Sequence, residues 1–244
     1  MTVDSADELE GLRRAGAVAA ETLREVAEAV RPGITTRELD DIGRDIFRKH
    51  GARSAPRVFR DFPGTLCISL NDEAVHGVPS LRPIFPGDLV KIDVTPILDG
   101  YVADCATTVV VGGTNHRLAD CATRALRDGI AAARANARTR DIGRAIERVV
   151  KRDGFKVLPE VGGHGVGHTM HEAPHVPNWD DPRATDALHD GLVLAIEPII
   201  AVSDAWLVED DDGWTLRTAH GSLAAHVEHT VVVTDGEPIV LTAA

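Results

Sequence analysis

Three cysteines, no long apolar run and a shortage of positive charge set the first limits on this 244-residue chain. Cys67, Cys105 and Cys121 are odd in number and lack metal-finger spacing, which excludes a disulfide scaffold and predicts a reduced, cytoplasmic protein. No stretch approaches the ~18 apolar residues of a membrane span, and the acidic start Met1-Thr2-Val3-Asp4 is the wrong chemistry for a secretory signal. No membrane association is expected. Lys and Arg number 26 against 38 Asp and Glu, a formal net charge of −12. That balance argues against general nucleic-acid binding, which needs cationic surface to displace counterions. Hydrophobic content of 43% and charged content of 26% are ordinary for a globular protein. With no low-complexity linker, residues 1–244 read as a single domain.

What the chain does have is a run of glycine and histidine. His164, His168, His171 and His175 fall among Gly162, Gly163, Gly165, Gly167 and Pro174. Intervals of four, three and four would stripe a helix, but each glycine costs a helix up to about 1 kcal/mol and proline removes a donor. An extended segment is expected, with glycines letting the backbone crowd against a neighbour. Imidazole is the commonest metal ligand, so the segment offers either a metal or substrate site or a structural histidine cluster.

Elsewhere, Ser5-Ala6-Asp7-Glu8 and Thr35-Thr36-Arg37-Glu38 read as capping boxes that open two helices, ending near Val30 and at His50-Gly51. Residues 66–70 read as a strand, Asp99-Gly100 as a hairpin turn, and 116–136 and 141–153 as helices. Residues 191–200 and 227–233 read as further strands. Gly87 stands six residues before Asp93, and Gly191 six before Glu197, each through apolar strand. Each acidic strand leads to a turn, a second acid (Asp104, Glu228) and a triple valine. Two similar α/β halves, each offering two carboxylates, would produce that echo; so would chance similarity between strands.

Acids are depleted in strands, so Asp93, Glu197 and Glu228 inside apolar patterns need a reason. Singly each reads as structural. Together with Asp104 and His164 they bring four negative charges and a neutral nitrogen, and buried carboxylates cost several kcal/mol each unless cations answer them. Two divalent cations would balance the four acids and could activate a water between them. Oxygen-rich ligation with one imidazole suits Mn, Fe(II), Co or Zn.

The segment from Asn71 to Pro79, Ile92-Asp93-Val94 with Asp104 eleven residues on, Gly163-His164-Gly165-Val166-Gly167, His171-Glu172, Ile196-Glu197-Pro198 and Glu228-His229-Thr230 follow one another in an order that resembles the type I methionine aminopeptidases. The resemblance covers essentially the whole chain. It implies the α+β pita-bread fold: two pseudo-twofold halves with a curved antiparallel sheet covered by helices. The short interval from Glu197 to Glu228 implies no type II insertion, and the short N-terminus no zinc-finger extension. The implied activity is removal of the initiator methionine from nascent polypeptides whose second residue is small, with transient proximity to the ribosome and a monomeric state.

Site roles are implied residue by residue. Asp93 and Glu228 resemble bridging carboxylates, Asp104 the completing ligand of one metal, and His164 with Glu197 those of the other. Glu197 is also the implied general base. His171 resembles the histidine at the scissile carbonyl, and His76 the one at the amide nitrogen beside it. Phe59, Phe62, Cys67, Met170 and Trp214 look like the pocket for the methionine side chain. Family members often carry tyrosines near Phe59 and Phe62, a phenylalanine at Met170 and an aromatic or methionine at Val161. Ala224 stands where a serine helps other members bind a monovalent ion, so that ion is not expected. His168 and His175 read as structural.

Overall fold

The computed structural model describes residues 1–113, 116–204 and 206–243. Helix α1 (Ala6–Ala29) starts as its sequence predicts, with the Ser5 hydroxyl accepting from the Glu8 N–H. Its capping box is only half formed, because the Glu8 carboxylate takes the Asp4 N–H instead. Helix α2 (Thr36–His50) carries the complete box on Thr35 and Glu38 and ends at Gly51, whose φ of 69° is left-handed. A short helix α3 (Ala55–Arg60) follows, capped by Ser54. Helices α4 (Arg117–Ala132) and α5 (Thr139–Arg152) match the two predicted in the second half to within a few residues.

The largest sheet is wholly antiparallel along its path. Across it lie Cys67–Leu70, Leu89–Val94, Cys105–Val110, Glu228–Val232, Val193–Ile196, Gly163–Gly165 and Glu172–Val176, with Ile239–Val240 pairing to Glu228–Val232 off that path. The order is close to symmetric about one pairing in the middle of the path. Cys105–Val110 and Glu228–Val232 pair in the middle, flanked by Leu89–Val94 and Val193–Ile196, the strands that carry the sequence echo. The two-halves expectation holds, and the sheet with its helices has the pita-bread arrangement.

Period-two alternation sorts each strand between two faces. Ile92 and Val94 turn toward α1 and α2, packing with Leu39 and Phe47, while Leu194 and Ile196 turn toward α4 and α5, packing with Ile142 and Ile146. Asp93 and Glu197 therefore project from the opposite face.

Three local results refine the sequence reading. Asp99 (φ 49°) and Gly100 (φ 88°) close the hairpin of Pro96–Leu98 with Tyr101–Val102, the two left-handed residues that a type I′ turn demands. The strand predicted over 191–200 is broken at Glu197-Pro198 into Val193–Ile196 and Ile199–Ala201, because proline has no N–H for the ladder. The glycine–histidine segment is extended, as anticipated, and its glycines crowd against neighbouring strands. A Cβ on Gly165 would stand 2.2 Å from the Ala173 carbonyl oxygen, and one on Gly163 2.3 Å from that of Ala195. Gly165→Ala is thus expected to destabilise the fold by about 1–3 kcal/mol or more, since backbone cannot give way as a side chain can. An unchanged denaturant midpoint would contradict it.

Candidate metal centre and substrate cavity

Strand register brings the acids together. Ala106 is the cross-strand partner of both Asp93 and Glu228, so the two carboxylates share a row with a small residue between them. One row along, His164 pairs with Ala195, which pairs in turn with Thr230, two residues on from Glu228 and so on the same face. Alanine at both intervening positions leaves open space over the sheet. Asp104 is tied in by Thr230, whose hydroxyl accepts from the Asp104 N–H (2.8 Å) and donates to its carbonyl (2.8 Å). Thr95 donates to the Asp104 carboxylate at 2.9 Å.

Glu197 follows its strand directly, and Asn178 donates to its carbonyl at 2.9 Å. His164 Nδ1 lies 2.9 Å from the Gly165 carbonyl, which can only accept, so Nδ1 carries the proton and the Nε2 lone pair faces inward. That Nε2 is 3.4 Å from Glu197 Oε1.

These groups line one cavity of about 520 Å³. Its walls include Asp93, Asp104, His164, Glu197 and Glu228, and also His76, His171, Phe62, Cys67, Met170 and Trp214. Every site residue anticipated from the sequence is there except Phe59. Helix α3 turns Pro56 and Arg60 to the cavity and leaves Phe59 41% exposed outside it. His175, which pairs with His164 across the strands, also lines the cavity. His168 stays apart, its ring 5.9 Å from that of Tyr101.

Phe62 and Trp214 meet edge to face at 5.3 Å, and with Cys67 and Met170 form an apolar wall. Burial pushes the Cys67 thiol well above its ordinary range, with Asp93 adding to the effect, so Cys67 serves as an apolar surface and not a thiolate. The Asp40 carboxylate of α2 holds the loop before Cys67 by accepting from the Thr65 and Leu66 N–H groups at 2.7 and 2.8 Å. His76 sits in the turn after Glu73–Val75 with φ 59°, a conformation costly for a non-glycine residue and often found at functional sites. It lines the cavity.

Electrostatics decide what this arrangement can hold. Burial raises the carboxyls of Asp93, Asp104, Glu197 and Glu228 above their usual range, and mutual repulsion raises the last three further. Burial also lowers His164 to about 3, and His76 and His226 to about 4, so all three imidazoles are neutral near pH 7. Arg60 is the one Lys or Arg among the described lining residues. Neutral nitrogens, crowded carboxylates, and an orphan Oε1 on buried Glu228 fit divalent cations. Cation uptake by metal-stripped protein near pH 7 is therefore expected to release protons, with affinity rising as pH rises, because the raised acids hold protons in the metal-free fold. Calorimetry in two buffers of different ionisation enthalpy tests this; identical heats would mean the acids are already ionised.

Sequence reasoning missed His226, buried at 1% exposure with Nε2 3.3 Å from Glu197 Oε2 and 3.6 Å from Glu228 Oε2. Its position two residues before Glu228 was the available signal. Also missed was Lys91, whose buried ammonium donates to the Asn71 carbonyl at 2.8 Å and whose pKa burial lowers to about 7.

Residues 10–235 match the model of metallopeptidase family M24. The chain belongs to that family. Among M24 relatives, it is 41% identical to methionine aminopeptidase 2 of Bacillus subtilis over 247 aligned residues, covering 99% of each chain. The methionine aminopeptidase of Thermotoga maritima superposes with a TM-score of 0.95 at 34% identity, each chain covered completely. The prolidase of Pyrococcus furiosus shares the fold, with a TM-score of 0.77 at 21% identity over the whole of this chain and 66% of that one.

Proposed function

We propose that this chain, acting as one catalytic domain over residues 1–244, is a metal-dependent aminopeptidase that removes the N-terminal methionine from polypeptides whose second residue is small. The observation that carries this reading is the single cavity in which four crowded carboxylates and His164 meet a soft apolar wall of Phe62, Cys67, Met170 and Trp214. Asp93, Asp104, His164, Glu197 and Glu228 would hold two divalent ions of Mn, Fe(II), Co or Zn type. Held there, such ions make a water acidic enough to attack at neutral pH and polarise the scissile carbonyl.

The protein's own groups do the rest. A carboxylate oxygen of Glu197 takes the proton of the attacking water and later passes it to the leaving amine. His171, its ring centroid 4.4 Å from that of His164, donates a hydrogen bond to the developing oxyanion. His76 contacts the amide nitrogen beyond the scissile bond and crowds the second residue, which restricts that residue to small side chains. The apolar wall takes up the thioether, and Phe59 lies outside that contact.

The substrates are nascent chain ends, the compartment is the cytoplasm, and the protein works as a monomer near the ribosome. Among the described residues no helix is long and apolar enough to cross a membrane. The shared fold of the prolidase supplies a second reading, cleavage before proline. Comparing Met-Ala-Ser with Ala-Pro peptides in the presence of Mn or Co separates them. Release of methionine from the first is expected; cleavage of Ala-Pro with the first left intact would overturn the proposal.

A further inference from the structure

His226 is the buried group for which the reading above has no use. It closes the strand Ala224–His226, is fully enclosed, and its Nε2 has no hydrogen-bond partner. A buried nitrogen left unpaired is costly, and native proteins rarely keep one without a ligand for it. The nearest groups are Glu197 Oε2 at 3.3 Å and Glu228 Oε2 at 3.6 Å. Both separations exceed the ~2.7–2.9 Å of a charge-assisted hydrogen bond, so this is not a formed ion pair.

The same separations have another meaning. Donors bound tetrahedrally about 2.1 Å from one cation stand ~3.4 Å from each other, by the geometry of the tetrahedron. His226 with Glu197, His226 with Glu228, and His164 with Glu197 (3.4 Å) all lie at that spacing. Donor atoms of Glu197, His226 and Glu228 fall within 4.8 Å of one another, as do those of Asp104, His164 and Glu228. These two groups share Glu228 and each contains one imidazole, and Glu197 reaches both, since its Oε1 is also 3.4 Å from His164 Nε2. Glu197 turns Oε1 to His164 and Oε2 to His226.

We propose that His226 is a sixth protein ligand, which gives the centre a second imidazole. This rests on the cavity being a divalent-metal centre. Each ion then has one nitrogen donor, and the second site is softer than carboxylates alone would make it, which favours Co, Fe(II) or Zn there over Mg or Ca.

The test is proton NMR in water on the full chain, stripped of metal and titrated with cobalt(II) chloride. An imidazole bound to Co(II) through one nitrogen shows the exchangeable proton of the other as a resonance shifted far outside the diamagnetic range. Two such resonances are expected in the wild type at saturation, with one lost in His226→Gln and the other in His164→Gln. Calorimetry of His226→Gln should show at least one Co(II) step weakened roughly tenfold or more. The wild-type count needs no variant, so a misfolded His226→Gln would not spoil it. One shifted resonance at saturation, with Co(II) bound, would remove His226 from the ligand set and leave the metal centre standing. No Co(II) uptake at all would remove both.

Discussion

Replacing Glu197 by glutamine is expected to lower kcat by roughly 100- to 10,000-fold, the range associated with losing a positioned general base. The substitution keeps shape and volume, and the Asn178 bond is made to the Glu197 main-chain carbonyl, so the local backbone has no reason to move. What changes is the chemistry at two oxygens that lie 3.4 Å from His164 Nε2 and 3.3 Å from His226 Nε2. A carboxamide accepts a water proton far more weakly and carries no charge toward a cation. Steady-state kinetics on Met-Ala-Ser at saturating metal separate these effects. If metal binding alone were impaired, added metal would restore turnover. If proton transfer is impaired, kcat stays low at saturation. Turnover within tenfold of wild type at saturating metal would take the general-base role away from Glu197.

The second large effect is expected on metal removal. Chelation with EDTA should abolish methionine release, and Mn or Co should restore it. It should also loosen the fold, because Asp93, Asp104, Glu197 and Glu228 crowd one cavity in which Arg60 is the single basic lining residue described. A ligand present at 100 times its dissociation constant contributes about 2.7 kcal/mol to stability. For a chain of this size that corresponds to about 5–10 °C in melting temperature. Thermal scans of the stripped and metal-loaded protein read this directly. Undiminished turnover by the stripped protein would remove the proposed mechanism, whatever its melting temperature.

The parts of the site visible in the sequence were those that broke a local rule. Asp93 and Glu197 are acids in apolar strands, and His164 sits among glycines that no helix would tolerate. Each violation signals a tertiary reason before the reason is known. His226 broke no rule strongly enough. One histidine between Ala225 and Val227 looks like an ordinary strand residue, and only the enclosure of its Nε2 beside two carboxylates makes it conspicuous. His175 lines the cavity through its cross-strand pairing with His164, which its interval along the chain does not reveal.

Phe59 shows the limit in the other direction. Its resemblance to a pocket position took no account of α3, a helix too short to have a periodic pattern of its own. That helix begins where the Ala55 N–H meets the Thr95 carbonyl and the Ser54 hydroxyl caps Arg57, one of them a contact across forty positions of sequence. Helix rotation then carried Phe59 away from the cavity while Phe62, just beyond the helix, turned in.

By itself the sequence determined the alternation that sorts apolar from acidic residues, the helix starts at Ser5 and Thr35, the Asp99-Gly100 turn and the acids and imidazole from which a metal centre is proposed. All of these depend on neighbours within a few positions, where backbone sterics and side-chain hydrogen bonds act directly. Only the tertiary structure decided which residues share the cavity's walls, how the donors divide between His164 and His226, and which aromatic reaches the pocket. Those outcomes depend on register between strands more than a hundred residues apart, and a shift of one position would turn every donor to the other face.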